Sequence, residues 1–184
     1  MTSDGLRPIM KEKRMKLAHS VVLGICLLTG FFFAACRTTG TTSLINGFTS
    51  YQNLQQVREK LQTGGYGRSW QESRNTIEPT DKRSPHDMVV LSGPFRHLGQ
   101  DGTLRLTLFN DRLMTAEFSP VNSTAYLTAL RQQLKDVPPN PKEQVVISRH
   151  TNFIYYAEPD GAMRFIWEDS KLSEEWKAWV KANS

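Results

Sequence analysis

Apolar residues first appear in one nearly unbroken block, Val21 to Phe33, and only later alternate with polar ones. Beyond the block the spacing becomes helical. Phe48, Tyr51, Leu54, Val57 and Leu61 recur three or four positions apart with polar residues between them, as in an amphipathic helix. The spacing predicts a helix at about 51–62, capped by Ser50 and stopped by Gly64-Gly65. Residues 63–86 are rich in Gly, Ser, Arg and acids and predict a long loop with a weak strand around 68–76.

From Met88 the period changes to two. Met88-Val-Val-Leu-Ser92 is a short strand, and Phe95 to Phe118 reads as strands joined by tight turns, with Asp101-Gly102 as a hairpin signal. Three-residue loops at 100–102 and 110–112 put Leu98, Leu104, Leu106, Leu108, Met114, Ala116 and Phe118 on one side, whereas a two-residue loop at Asn110-Asp111 divides that set. The three-residue register sends His97 to the polar face, opposite Arg105. Pro120 closes this segment, and a second helix follows an Asn122 or Ser123 cap with the stripe Tyr126, Leu127, Leu130 and Leu134. Val137-Pro-Pro-Asn-Pro141 is a stiff connector.

The second half repeats the theme. Val145 to Ser148 is a strand, and Glu158-Pro-Asp-Gly161 suits a type I turn followed by a left-handed glycine. That turn sets Phe153, Tyr155, Ala157, Met163, Phe165 and Trp167 on one face. A last helix is expected at about 173–182, capped by Ser173, with Leu172, Trp176, Trp179 and Val180 as its stripe. Together the elements predict an α+β fold: an antiparallel sheet of five to seven strands built from hairpins, with about three helices on one face. Gly102–Leu113 and Gly161–Leu172 share Gly, Arg, basic and Leu positions at an offset of 59, which suggests an internal duplication.

The apolar block has its own meaning. Lys11, Lys13, Arg14 and Lys16 precede it, and Phe33-Ala34-Ala35-Cys36 follows it, the layout of a secretory signal. The last four residues resemble the lipobox of bacterial lipoproteins, departing from it at Phe33, where that class prefers an aliphatic residue. The resemblance implies that residues 1–35 are removed as a signal peptide and that the Cys36 sulfur carries diacylglycerol. Cys36 then becomes the first residue, and Arg37 in place of Asp implies the outer membrane, facing the periplasm, in a Gram-negative source. Met10 and Met15 are alternative starts. An ordinary cut that leaves a secreted protein and an uncleaved anchor are the other two readings, though the block is shorter than the ~20 residues of a bilayer helix. Cys26 and Cys36 are the only cysteines, so cleavage leaves no pair for a disulfide. The domain plan is then a lipidated Cys36 with a flexible tether over 36–47 and one domain over 48–184. The order of a helix before an antiparallel sheet is also similar to that of small outer-membrane assembly lipoproteins, whose Gly-Xaa-Pro signal after the first helix is absent here.

Charge alters the picture less than the net +5 suggests. Residues 1–35 hold five of the 23 Lys/Arg and two of the 18 Asp/Glu, which leaves a net of +2 on the rest. No run of five basic residues occurs, and no nucleic-acid partner is predicted. His86, His97 and His150 lie outside any His-Glu-x-x-His spacing, Ser92-Gly93 lacks a Gly-x-Ser-x-Gly frame, and Gly64-Gly65-Tyr66-Gly67 lacks the Lys-Ser/Thr of a phosphate loop. No catalytic residue, metal ligand or cofactor is assigned. Tyr66, Arg68, Trp70 and Arg74 are the binding candidates, as aromatic and Arg anchors in a loop. The expected function is that of a non-catalytic envelope lipoprotein, held to the membrane through Cys36 and binding an envelope protein or peptidoglycan. The alternative is an envelope hydrolase assembled from dispersed carboxylates and histidines.

Overall fold

The computed structural model describes residues 40–66, 69–134 and 137–184. The predicted signal segment and Cys36 lie outside them. Among the described residues the fold is α+β, with three helices and one seven-stranded antiparallel sheet. In chain order the elements are α1 (Leu54–Thr63), β1 (Gln71–Ile77), β2 (His86–His97), β3 (Gln100–Phe109), β4 (Arg112–Pro120), α2 (Ser123–Gln133), β5 (Gln144–Ser148), β6 (Thr151–Ala157), β7 (Met163–Asp169) and α3 (Ser170–Asn183). The strand order is β1-β2-β3-β4-β7-β6-β5. Two meanders therefore meet back to back, with Phe118 opposite Phe165 and Ala116 opposite Trp167 at the seam.

Both hairpin turns before β4 differ from expectation. Leu98-Gly99 is a two-residue turn with φ of 50° and 75°, and His97 faces Gln100. Asn110-Asp111 is another, with φ of 48° and 56°. Both have the left-handed pairs of type I′ turns, whose twist matches that of the flanking strands. Asp101-Gly102 lies inside β3 instead. The second short turn does not divide the apolar set as expected, because a bulge compensates. Leu108 faces Leu113 while Thr107 faces Thr115, so Met114 is the extra residue. Leu113, Ala116 and Phe118 then join Leu104, Leu106 and Leu108 in the core, and Met114 packs elsewhere.

The core face carries Val89, Leu91 and Phe95 of β2, the β3 leucines, and Phe153, Tyr155, Phe165 and Trp167 of the second meander. Ala157, expected among them, is exposed. Val57 and Leu61 of α1 and Tyr126 and Leu130 of α2 cover this face. The third helix differs from the prediction of helices on one face. Leu172, Trp176 and Trp179 form a second cluster with Phe109, Met114 and Met88. Met88 and Phe109 are cross-strand partners that alternate with the core residues Val89 and Leu108, so this cluster lies on the opposite face. α3 also starts three residues early, because the Asp169 carboxylate accepts the Leu172 N–H at 3.0 Å and acts as the cap in place of Ser173.

The predicted tether is mostly fold. Leu44, Ile45 and Phe48 are core residues, and Thr42 and Ser50 are buried. The Thr42 N–H donates to Ser50 Oγ at 2.9 Å, and the Ser50 N–H donates to the Thr42 carbonyl at 2.8 Å. Thr42 Oγ1 bonds Ser148 Oγ at 2.7 Å and also bonds Thr151 Oγ1. Ser50 is thus a clasp for this segment and does not cap α1. The cap is Asn53, in a reciprocal box with Gln56, since Tyr51 and Gln52 are tied by backbone bonds to Leu113. The offset-59 match pairs β3 with β7 and a turn with the start of α3. The sheet order instead sets β4 against β7 as corresponding third strands.

A Cβ on Gly102 would lie 2.4 Å from the Ser119 carbonyl and 2.8 Å from the Phe118 ring. The neighbouring backbone cannot yield, so Gly102→Ala should destabilise the domain by about 1–3 kcal/mol, read as a lowered urea midpoint. An unchanged midpoint would contradict the β3–β4 register.

Candidate binding cleft

Helix α1 ends in a Schellman motif. The Tyr66 N–H donates to the Leu61 carbonyl at 2.8 Å, the Gly65 N–H to Gln62 at 3.1 Å, and Gly65 adopts φ 80°. A left-handed residue at this point costs a glycine little and a side-chain-bearing residue much more. The motif turns the chain back and lays Tyr66 against the sheet, its ring 4.8 Å from that of Phe95 with a 40° tilt. Phe95 faces Gly102 across the β2–β3 ladder. Between the end of α1 and this hairpin lies a cleft of about 690 Å³, lined by Gln62, Tyr66, Ser69, Phe95, Arg96 and Asp101 together with Pro94 and two glycines. Its size lies within the ~300–1,000 Å³ of ligand sites. Arg96 and Asp101, cross-strand neighbours at its rim, are 3.8 Å apart and 65% and 72% exposed. So loose and wet a pair contributes little to stability and leaves both charges free for a ligand.

The four predicted binding residues do not form one group. Tyr66 is a wall of the cleft, and Arg68 lies outside the described residues. Trp70 packs half-buried against the main core, with its indole over Gly93, where a Cβ would come within 2.8 Å of the ring. It lines a smaller neighbouring cavity of about 230 Å³ with Leu61, Gln62 and Leu91. Trp70 is therefore mainly a packing residue. Arg74 sits away from the cleft, with Nε and Nη2 donating to the two Asp87 carboxylate oxygens at 2.8 and 2.7 Å. This fork, joined by the Thr76 hydroxyl, holds the Asp87 carboxyl below the usual carboxylate range. Sequence reading missed Gln62, Phe95, Arg96 and Asp101. The available signal was Pro94 inside a strand, a residue tolerated at a sheet edge. β1 pairs with β2 only as far as Ser92, so Gly93–His97 is such an edge.

The three histidines occupy three separate surroundings. His86 is buried between Phe109 and Trp179, with ring centroids at 5.6 and 4.3 Å, and helps dock α3. The His150 carbonyl accepts the Ser170 N–H at 2.9 Å in the β5–β6 turn. His97 differs most from expectation. The two-residue turn at Leu98-Gly99 pairs His97 with Gln100 instead of Arg105, an odd shift of five positions that moves His97 from the polar face to the core face. There its ring meets Phe118, Tyr126 and Trp167, and Nδ1 shares a 2.7 Å hydrogen bond with the Tyr126 hydroxyl. Burial lowers the His97 pKa to about 4 and raises that of Tyr126. A histidine neutral at pH 7 whose acceptor or donor nitrogen is engaged by a core phenol is a packing element. Among the described residues no group of three or more His, Cys, Asp or Glu could hold a metal ion.

Comparison with known proteins gives no match, whether to a family model, a curated protein or a solved structure.

The His97 environment fixes a pH dependence. Its pKa is depressed in the folded state, so between pH ~6.5 and about 4 the unfolded chain binds a proton that the folded chain refuses. Stability should fall as pH drops through that window. In His97→Gln, which cannot titrate there, the gap between urea midpoints at pH 7 and pH 4.5 should shrink. An equal gap in both proteins would place His97 in solvent.

Proposed function

We propose that this protein is a non-catalytic, lipid-anchored envelope protein that presents its cleft to an envelope-protein or cell-wall partner. One observation supports the reading beyond the lipobox-like Phe33-Ala34-Ala35-Cys36. The fold takes hold of the chain at Thr42, six residues beyond Cys36. Six residues span at most about 22 Å, so a lipidated Cys36 would keep the domain close to the bilayer. Thr42 is clasped by Ser148 and Thr151, beside the β5–β6 turn. In the antiparallel sheet that turn shares an end with the Asn110-Asp111 turn and the start of β2. Pro94, Phe95, Asp101 and Gly102 belong to the other end, where β2 stops and β3 starts. Twelve residues of β2 span about 40 Å when extended. The cleft therefore lies at the end of the sheet opposite Thr42.

Two stable acyl attachments hold a protein where one binds only marginally. Cys36→Ala should accordingly shift the protein from the membrane fraction to the soluble fraction, and mass spectrometry of the wild type should find an acylated Cys36 at the amino terminus. A bare thiol, or a terminus elsewhere, would overturn the anchored reading. The orientation has its own test, because lipidation leaves no other cysteine in the chain to label. A fluorophore on Arg149→Cys should be quenched by brominated lipids in proteoliposomes, and one on Arg96→Cys should not. The reverse result would put the cleft on the bilayer. We also propose that β2–β3–β4–α2 and β5–β6–β7–α3 derive from one duplicated unit. Their mirrored order about the β4–β7 seam supports this more than the offset-59 match does.

A further inference from the structure

We infer that the cleft recognises a sugar ring of a glycan strand. The inference rests on the reading of the cleft as the partner site, and it names the chemistry of that partner. Three observations carry it.

The first is the mode of recognition that the fold permits. A peptide captured by strand addition needs a free sheet edge with a row of donors and acceptors. The open outer stretch of β2 beside the cleft, Gly93–His97, contains Pro94, which has no N–H to offer an added strand. β3 is paired on both sides, to β2 and to β4. The backbone is therefore a poor template here, and side chains must supply the contacts.

The second is the kind of side chain present. Tyr66 offers a half-buried ring backed by Phe95, an apolar plate with a hydroxyl at its edge. The plate is fixed by the backbone bonds of the Schellman motif, so little conformational freedom is lost on binding. Around it stand an amide (Gln62), a hydroxyl (Ser69), a carboxylate (Asp101) and a guanidinium (Arg96). A pyranose has one face of C–H groups and a belt of hydroxyls. The face suits an aromatic plate, and the belt suits two-atom acceptors and donors such as a carboxylate and a guanidinium.

The third is the pairing of the two charged groups. Arg96 and Asp101 stand 3.8 Å apart at the rim, so a guanidinium that donates and a carboxylate that accepts can each take one of two neighbouring hydroxyls on a single ring.

The test uses the mature lipidated protein in a detergent without a sugar headgroup. The probes are chitotetraose, a β-1,4-linked N-acetylglucosamine tetramer, and separately a free pentapeptide of the cell-wall stem type. Binding is followed by tryptophan emission, since Trp70 lies beside the cleft, and by calorimetry. The tetramer should bind, Tyr66→Ala should weaken it about tenfold or more, and Asp101→Asn should weaken it several-fold. Tyr66→Phe, which keeps the plate, should retain most of the affinity. Matching urea midpoints among the variants separate lost binding from lost folding. No binding of the tetramer by the wild type, equal binding by Tyr66→Ala, or displacement of the tetramer's signal by the pentapeptide alone would overturn the inference. Those outcomes leave the anchored reading to its own measurement, the mass at Cys36.

Discussion

The turn at Leu98-Gly99 holds β2 and β3 in a register on which most of the remaining structure depends. A shift of one residue would exchange the faces of β2 and expose Val89, Leu91 and Phe95 while burying Val90 and Arg96. The register has a local cost. Leu98 adopts φ 50°, a left-handed conformation disfavoured by about 1–2 kcal/mol for a residue with a Cβ. Leu98 is also packed against the main core, so burial of its side chain offsets part of that strain. The same register brings Phe95 opposite Gly102 and thereby lays the floor of the cleft. It also carries His97 indoors to Tyr126, where the hydrogen bond satisfies two polar groups that would otherwise each cost about 1–3 kcal/mol when buried.

The amino-terminal segment supplies the second constraint. Thr42–Ser50 adds Leu44, Ile45 and Phe48 to the core and is closed by the hydroxyl cluster of Thr42, Ser148 and Thr151. Three hydroxyls can satisfy one another because each donates once and accepts twice, and Thr151 has the Ser43 carbonyl as a further acceptor at 3.2 Å. A clasp of this kind is compact and needs no long side chains. It fixes the point at which the chain enters the fold, and so determines which end of the sheet is near the entry and which end is free.

Much of the architecture was legible in residue order. The periods of α2, β6, β7 and α3 match their buried stripes, Ala157 apart, and Glu158–Gly161 forms the turn its residues suggest, with Gly161 at φ 85° and its N–H bonded to the Glu158 carbonyl at 3.0 Å. The failures share a cause. Asp101-Gly102 is a strong turn pair by composition, but Gly102 is there for close packing on Ser119 and Phe118. The turn falls on Leu98-Gly99 instead, where a leucine carries no turn signal. A two-residue turn at Asn110-Asp111 splits the apolar set unless a bulge shifts Met114 out of the ladder, and such a bulge is not visible in an alternating pattern. Arg37–Ser43 has the composition of a linker, yet its last residues are ordered by hydroxyl bonds to partners more than a hundred positions away. The site suffered the same way. Tyr66 was found from local sequence, while Phe95, Arg96 and Asp101 depended on the register.

Edges and ends divide the work of the sheet. β1, one outer strand, is polar except for its last residue, Ile77, and exposed along nearly its whole length, which discourages edge-to-edge pairing. Where β1 stops, the exposed stretch of β2 carries Pro94 and lies beside Trp70 and Tyr66. An edge left without a partner is thus blunted first by polarity and then by a residue that cannot pair. At the opposite end, Asp169, Thr151 and Ser50 are almost wholly buried. Buried polar groups are costly unless satisfied, and the Asp169 carboxylate, one oxygen of which caps α3, together with the hydroxyl clasp, ties β6, β7, α3 and the entering chain to one another. Exposed, weakly paired charge at the cleft end and the buried hydroxyl clasp at the entry end follow from a single sheet having one end committed to holding its own chain and the other left open.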